Sequence, residues 1–187
     1  MKANEVRNIL LASGADLPGH WRLPSGRHTP RLFLCNATLQ TPALVEQLAD
    51  ALVERVRNLE PAAVFTASLS AAVLGYAVAR SLNIPFFMPT ENDPPKVVPG
   101  ARVLIVEDAA DTGATLTDAR TWVLVNGGVP AGVAVLVNRG SRGVAALGLP
   151  VFALVEEPIP SWQSAECPLC AQGIPWTGID PNPRETE

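Results

Sequence analysis

Val103-Leu104-Ile105-Val106-Glu107-Asp108-Ala109-Ala110-Asp111-Thr112-Gly113-Ala114-Thr115-Leu116-Thr117 is the stretch that decides the fold. Four apolar, mostly β-branched residues open it, the pattern of a strand buried on both faces. Two carboxylates, Glu107 and Asp108, follow where that strand is expected to leave the sheet. A third acid, Asp111, precedes Thr112-Gly113-Ala114-Thr115, which opens a predicted helix from Leu116 to Val125. A strand, a short polar loop and a helix N-terminus make an anion site: backbone N–H groups point outward, the helix dipole favours negative charge, and glycine lets a phosphate approach the main chain. The adjacent acids are not phosphate ligands. They suit sugar hydroxyls, the hydration shell of Mg²⁺, or proton transfer.

Working outward, the same alternation recurs. Ala62 to Ala67 reads as a buried strand, Ala71 to Leu82 as a helix, and Phe86-Phe87-Met88 as a third strand. Val129 to Val137 and Val151 to Val155 complete the set. Before them, Thr41-Pro42 starts a helix whose stripe is Leu44, Leu48, Leu52 and Val56, with proline at the first helical position. Cys35, just ahead, is most simply a small core residue. Strands alternating with helices give an α/β fold with a mostly parallel central sheet flanked by helices, and ligands are expected at the strand carboxyl ends. Asn4 to Ser13 predicts an N-terminal helix. Gly19 to Leu23 and Ser25 to Phe33 predict two short strands joined by a turn. The organisation is therefore a helix and hood at 1–34, a core at 35–160 and a tail at 161–187.

Composition narrows the classes. The chain has 187 residues, enough for one domain with a real core, and a net charge of −4. No basic cluster marks a nucleic-acid footprint, and no apolar run approaches the length of a spanning helix. The start of the chain lacks signal-peptide architecture, so a cytoplasmic location is expected. Three cysteines do not make a disulfide framework. Cys167 and Cys170 form a lone Cys-x-x-Cys, two of the four ligands of a structural zinc site; zinc would need Cys35, a histidine or a second subunit. No metal ligands are assigned from the sequence. Residues 181–187 have the composition of a disordered end.

The stretch from Val103 to Thr115 closely resembles the phosphoribosyl pyrophosphate fingerprint of type I phosphoribosyltransferases. Ser13-Gly14, Leu17-Pro18-Gly19-His20, Leu23 and Ser25-Gly26-Arg27-His28 are similar to the N-terminus of orotate phosphoribosyltransferases, and a Cys-Pro-x-Cys tail occurs in one branch of them. The resemblance implies the type I phosphoribosyltransferase fold, a homodimer, and Mg²⁺ as cofactor with phosphoribosyl pyrophosphate and a nucleobase as substrates. It places Glu107 and Asp108 on the ribose and Thr112, Gly113, Ala114 and Thr115 on the 5′-phosphate. Ser68, Leu69, Ser70 and Ala71 fall on the pyrophosphate loop; Ser25, Gly26, Arg27 and Arg139 fall on the base. Asp108 and Asp111 become the catalytic acids.

Three departures bear on activity. Pro24 stands where relatives commonly have a polar residue, and proline offers no donor. The 68–71 loop carries Ser and Ala where relatives carry glycines, so Cβ atoms obstruct N–H groups that must approach an anion. The segment 89–98 is short, proline-rich and acidic, with Lys96 as its one cation, whereas relatives have a longer basic loop. Asp111 opens a purine-specific alternative, because purine-specific members carry Asp there as a proton acceptor. A catalytically silent nucleotide-binding protein is the other alternative.

Overall fold

The computed structural model describes residues 1–23, 25–89 and 97–179. Pro24, most of the segment at 89–98 and the tail end at 181–187 lie outside the described residues. The chain runs α1 (Ala3–Ala12), β1 (Asp16–Arg22), β2 (His28–Phe33), α2 (Asn36–Leu39), α3 (Pro42–Val56), β3 (Ala63–Phe65), α4 (Ala72–Leu82), β4 (Phe86–Phe87), β5 (Arg102–Ala110), α5 (Ala114–Val125), β6 (Val129–Asn138), α6 (Arg142–Ala145), β7 (Val151–Glu156), α7 (Pro168–Ala171) and β8 (Gly178–Ile179).

Five strands form one parallel sheet in the order β4-β3-β5-β6-β7, with β5 at its centre. Its residues serve both faces in turn. Leu104 and Val106 enter the core under α3 and α4, while Val103 and Ile105 enter the core under α5. Burial on both sides is why the sequence there is a continuous apolar run instead of an alternating one. Phe65 stacks on Trp122 of α5, ring centroids 4.1 Å apart, which fastens that helix to the sheet.

The central strand is longer than its apolar run predicts. Pairing with β6 continues through Ala109↔Val137 and Ala110↔Asn138, so Glu107 and Asp108 lie within β5. Cross-strand hydrogen bonds hold the backbone extended regardless of side-chain polarity. The helix after the fingerprint starts at Ala114, two residues before the predicted Leu116.

The hood is a second, three-stranded sheet in the order β2-β1-β8. Strands β1 and β2 form the expected antiparallel pair. The tail returns to the hood, where β8 pairs in parallel with Trp21 and Arg22 of β1. A two-residue strand carries too little pattern to read from sequence. Arg31 of β2 bonds the buried Asp16 carboxylate and reaches Glu157 at 3.1 Å, and Arg7 of α1 takes Glu157 at 2.9 Å. These ion pairs seat the hood on the end of β7.

Candidate active site

The carboxyl ends of β3, β5 and β6 converge at one edge of the parallel sheet. Glu107 is buried there, with its carboxylate turned toward the β3–α4 loop. Its Oε1 accepts the backbone N–H groups of Ala67 and Ser68 at 3.1 and 3.2 Å, and its Oε2 accepts the Ser68 hydroxyl at 2.6 Å. Burial pushes the Glu107 carboxyl up to about 7, against the pull of the Ser68 hydroxyl, and the neighbouring Asp108 charge pushes the same way as burial. Ser68 Oγ also meets Ser70 Oγ at 3.0 Å and accepts the Ala71 N–H at 3.2 Å. The loop is thus knitted to itself and to Glu107.

Asp108 points along the same edge, half-buried, with Oδ1 accepting its neighbour's Ala109 N–H at 2.8 Å. Burial raises its pKa, and that N–H draws it partly back. The Cys35 thiol lies beneath, 3.9 Å from the Asp108 carbonyl oxygen, and burial pushes the thiol well above its ordinary value. Cys35 is the core residue expected, and it floors the site.

Asp111 sits at the mouth of the acid loop. Its carboxylate accepts Arg139 Nη1 at 2.8 Å. Arg139, delivered by the end of β6, is only 5% exposed. Its Nη2 donates to the Thr29 hydroxyl of β2 at 2.8 Å, which leaves Nε a buried donor without a partner among the described residues. Hood, acid loop and β6 therefore meet at one guanidinium.

Thr112 to Thr115 forms the turn into α5. Gly113 caps the helix at φ 86°. A Cβ there would come within 2.6 Å of the Gly143 carbonyl carbon, so the turn requires glycine for both conformation and space. Gly143 answers in kind: a Cβ on it would fall 1.9 Å from the Thr112 carbonyl oxygen. The Thr112 hydroxyl accepts the Ala114 N–H at 3.3 Å, and Thr112 and Ala114 are exposed. The first turn thus faces outward as an anion site would. A hollow of about 210 Å³ opens beside it, lined by Ala67, Pro89, Thr115 and Asp118 among others.

The chain is 35% identical over 192 residues to the orotate phosphoribosyltransferase of Desulforamulus reducens, covering 99% of each. It is 36% identical over 182 residues to that of Pelotomaculum thermopropionicum, covering 94% of this chain and 95% of the relative. The chain belongs to the orotate phosphoribosyltransferase family. Among solved structures, orotate phosphoribosyltransferase from Aeropyrum pernix superposes with a TM-score of 0.70 at 24% identity, over 81% of this chain and 93% of that one. The Mycobacterium tuberculosis enzyme in complex with 5-phospho-α-D-ribosyl 1-diphosphate superposes at 0.67, with 21% identity over 82% of this chain and 95% of that one. These likenesses agree with the type I phosphoribosyltransferase fold. No family model matches the chain.

Against that family frame, the structure brings Glu107, Asp108, Asp111, Thr112 to Thr115, Ser68, Ser70 and Arg139 to one edge. It holds Arg27 elsewhere. The Arg27 guanidinium bonds the Ser161 carbonyl and donates from Nε to the Ser161 hydroxyl at 2.9 Å, tying the hood turn to the segment after β7. Gly26 and Leu23 close that turn by a backbone bond of 2.8 Å, and Ser25 is exposed. Leu69 projects 81% exposed from the 68–71 loop, and Ala71 is buried beneath it. The residue that sequence reasoning missed is Thr29, the hood's direct contact to Arg139. Its signal was slight: one threonine beside a histidine on a predicted edge strand.

Proposed function

We propose that this chain transfers the ribose 5-phosphate group of phosphoribosyl pyrophosphate to orotate. The bond from C1′ to the pyrophosphate oxygen breaks, its electron pair leaves with pyrophosphate, and C1′ bonds the ring nitrogen as that nitrogen gives up its proton. The observation that carries orotate as the base is Arg139. A buried guanidinium already binds one carboxylate, that of Asp111, and keeps a further N–H without a partner among the described residues. Asp111 stands where the carboxylate of an acidic pyrimidine would be held. Asp111 Oδ2 is held by Arg139, which weighs against the purine reading in which Asp111 accepts a base proton.

In this reading the outward first turn of α5, Thr112 to Thr115, takes the 5′-phosphate, and Asp108 takes the ribose hydroxyls. Glu107 braces the 68–71 loop from behind. The residues present fit Mg²⁺: Asp108, half-buried at the ligand edge, offers hard carboxylate oxygen. When bound, the ion neutralises charge on the pyrophosphate oxygens. The chain's own residues hold the sugar and phosphate in line and place the base beneath the hood. A homodimer and a cytoplasmic location complete the reading. Among the described residues no helix is long and apolar enough to cross a membrane.

A second reading, binding without turnover, rests on one observation: the Ala67 and Ser68 N–H groups that a pyrophosphate would use are spent on Glu107. Calorimetric titration with phosphoribosyl pyrophosphate and with orotidine monophosphate, each with Mg²⁺, followed by a pyrophosphate-release assay, separates the readings. Binding of both with orotate-dependent release supports the transferase. Binding without release supports the second reading, and failure of both ligands to bind overturns both.

A further inference from the structure

The hood and the tail share a cluster that the transferase reading leaves unused. His20 lies on β1, His28 on β2, and Cys167 and Cys170 flank the first turn of α7; one ligand atom from each stands within 4.8 Å of all the others. His20 Nε2 is 3.1 Å from His28 Nδ1, 3.6 Å from the Cys167 sulfur and 3.7 Å from the Cys170 sulfur. The Cys170 sulfur is 3.2 Å from His28 Nδ1. Around a tetrahedral zinc with ordinary bond lengths, nitrogens sit about 3.3 Å apart, nitrogen and sulfur about 3.5 Å, and sulfurs about 3.8 Å. The four distances match those edges to within a few tenths of an ångström.

We propose that His20, His28, Cys167 and Cys170 bind one zinc ion that fastens the C-terminal tail to the hood. The donor set is soft to borderline, two thiolates and two imidazoles, which selects zinc over magnesium or calcium. All four positions are filled by protein, so the ion is structural and has no place for a reactant. The outer contacts are those of a built site. His20 Nδ1 stands 2.9 Å from the Ile174 carbonyl oxygen. A carbonyl can only accept, so Nδ1 carries the proton and Nε2 turns its lone pair to the cluster. Pro168 opens α7 directly after Cys167 and sets both sulfurs on one side of a single turn. Trp176 covers the imidazoles, its ring centroid 5.0 Å from that of His28 and 6.0 Å from that of His20.

The backbone is arranged for the same join. Thr177 N–H donates to the His20 carbonyl at 2.8 Å, and Thr177 Oγ1 accepts the His20 N–H at 2.8 Å. His28 and Trp162 exchange a pair of backbone bonds at 2.8 and 2.9 Å. Gly19 is required here, since a Cβ would come within 2.3 Å of the Thr177 hydroxyl. His28 is followed by Thr29, which holds Arg139. A metal that fixes His28 therefore fixes the strand that orients the buried guanidinium. The sequence offered only the cysteine pair, because the histidines are far away along the chain and become neighbours only when β1 and β2 pair.

The test uses the full chain, purified in reductant without chelator. Metal analysis is expected to find about one zinc per chain, and exchange with cobalt(II) is expected to give the visible absorption of a tetrahedral thiolate–imidazole site. Chelation is expected to lower the unfolding midpoint by roughly 5–10 °C. His20→Ala should lose the metal, whereas His20→Cys should keep it as a three-cysteine, one-histidine site, and Cys35→Ser should keep it unchanged. Zinc retained after Cys167→Ser with Cys170→Ser overturns the proposal. So does a metal-free wild-type chain that takes up neither zinc nor cobalt, or one isolated in reductant with Cys167 and Cys170 joined as a disulfide. None of these readouts depends on transferase activity.

Discussion

The Ser68 hydroxyl donates to Glu107 Oε2 at 2.6 Å, while the Ser68 and Ala67 N–H groups both donate to Oε1. One buried acid of the central strand thereby sets the conformation of the loop on the neighbouring strand. Three donors do not offset the burial, since the carboxyl is still raised from 4.5 to about 7.

That imbalance predicts a pH-dependent stability. A carboxyl whose folded pKa lies above its unfolded value binds more protons in the folded state, so stability falls as pH rises between the two values. The Glu107 contribution is full below 4.5, declines from there to about 7 and is flat above. Its size is about 3 kcal/mol. Glu107→Gln keeps an acceptor for both N–H groups and a donor for Ser68, and should flatten that part of the curve. Denaturant melts of both proteins from pH 4.5 to 8 check it; parallel curves would show that Glu107 does not titrate there.

Arg139 predicts a selective defect. Arg139→Lys keeps a charge but loses the planar fork that reaches Asp111 and Thr29 together. A charged hydrogen bond to the base carboxylate contributes about 1.5–3 kcal/mol, so KM for orotate should rise about 10–100-fold. KM for phosphoribosyl pyrophosphate should change far less, because Thr112 to Thr115 is untouched. Equal increases for both substrates would place Arg139 in the structure alone.

How far the sequence reached depended on the range of the interaction. The fingerprint from Val103 to Thr115 is local, and it revealed the central strand, the acids and the turn into α5 together. The Arg139 position was legible because it follows a buried strand at the ligand edge. Its partners were not: Thr29 and Asp111 come to it from the hood and from another strand, and no spacing along the chain encodes that. The inward turn of Glu107 was equally hidden, since period alone gives a face, and hydrogen-bond partners at 67 and 68 decide what the face meets. The tail was underread for the same reason; Gly178–Ile179 is a strand only because β1 offers it an edge.

An apolar stripe predicts the dimer. Leu69, Val73 and Tyr76 are respectively 81%, 52% and 60% exposed, one helical face running from the 68–71 loop along α4. Tyr76 meets Phe86 edge-on at 6.3 Å, on the strand at the rim of the sheet. A contiguous exposed apolar face beside the edge strand of a sheet is characteristic of a subunit interface. Light scattering should give twice the 19.8 kDa chain mass at micromolar concentration, and Val73→Glu should shift it to the monomer. A wild-type monomer would refute the assignment.

Turnover is where the departures from the family pattern should be felt most. Charge moving onto pyrophosphate needs donors already in place, and removing one such donor costs about 10²–10³ in rate. In the 68–71 loop the Ser68 N–H is committed to Glu107 and the Ala71 N–H to the Ser68 hydroxyl, so a pyrophosphate must compete with contacts the loop already has. The rate should therefore fall about 10²–10³-fold below that of a relative with glycines in this loop, in matched pyrophosphate-release assays. Substrate binding should suffer less, because the 112–115 turn and Asp108 lie outside the 68–71 loop. Asp108→Asn should weaken phosphoribosyl pyrophosphate binding in calorimetry while changing an already low rate little. Turnover equal to the glycine-loop relative would mean that Glu107 releases the loop when substrate binds, and the 68–71 contacts would then describe the resting state only.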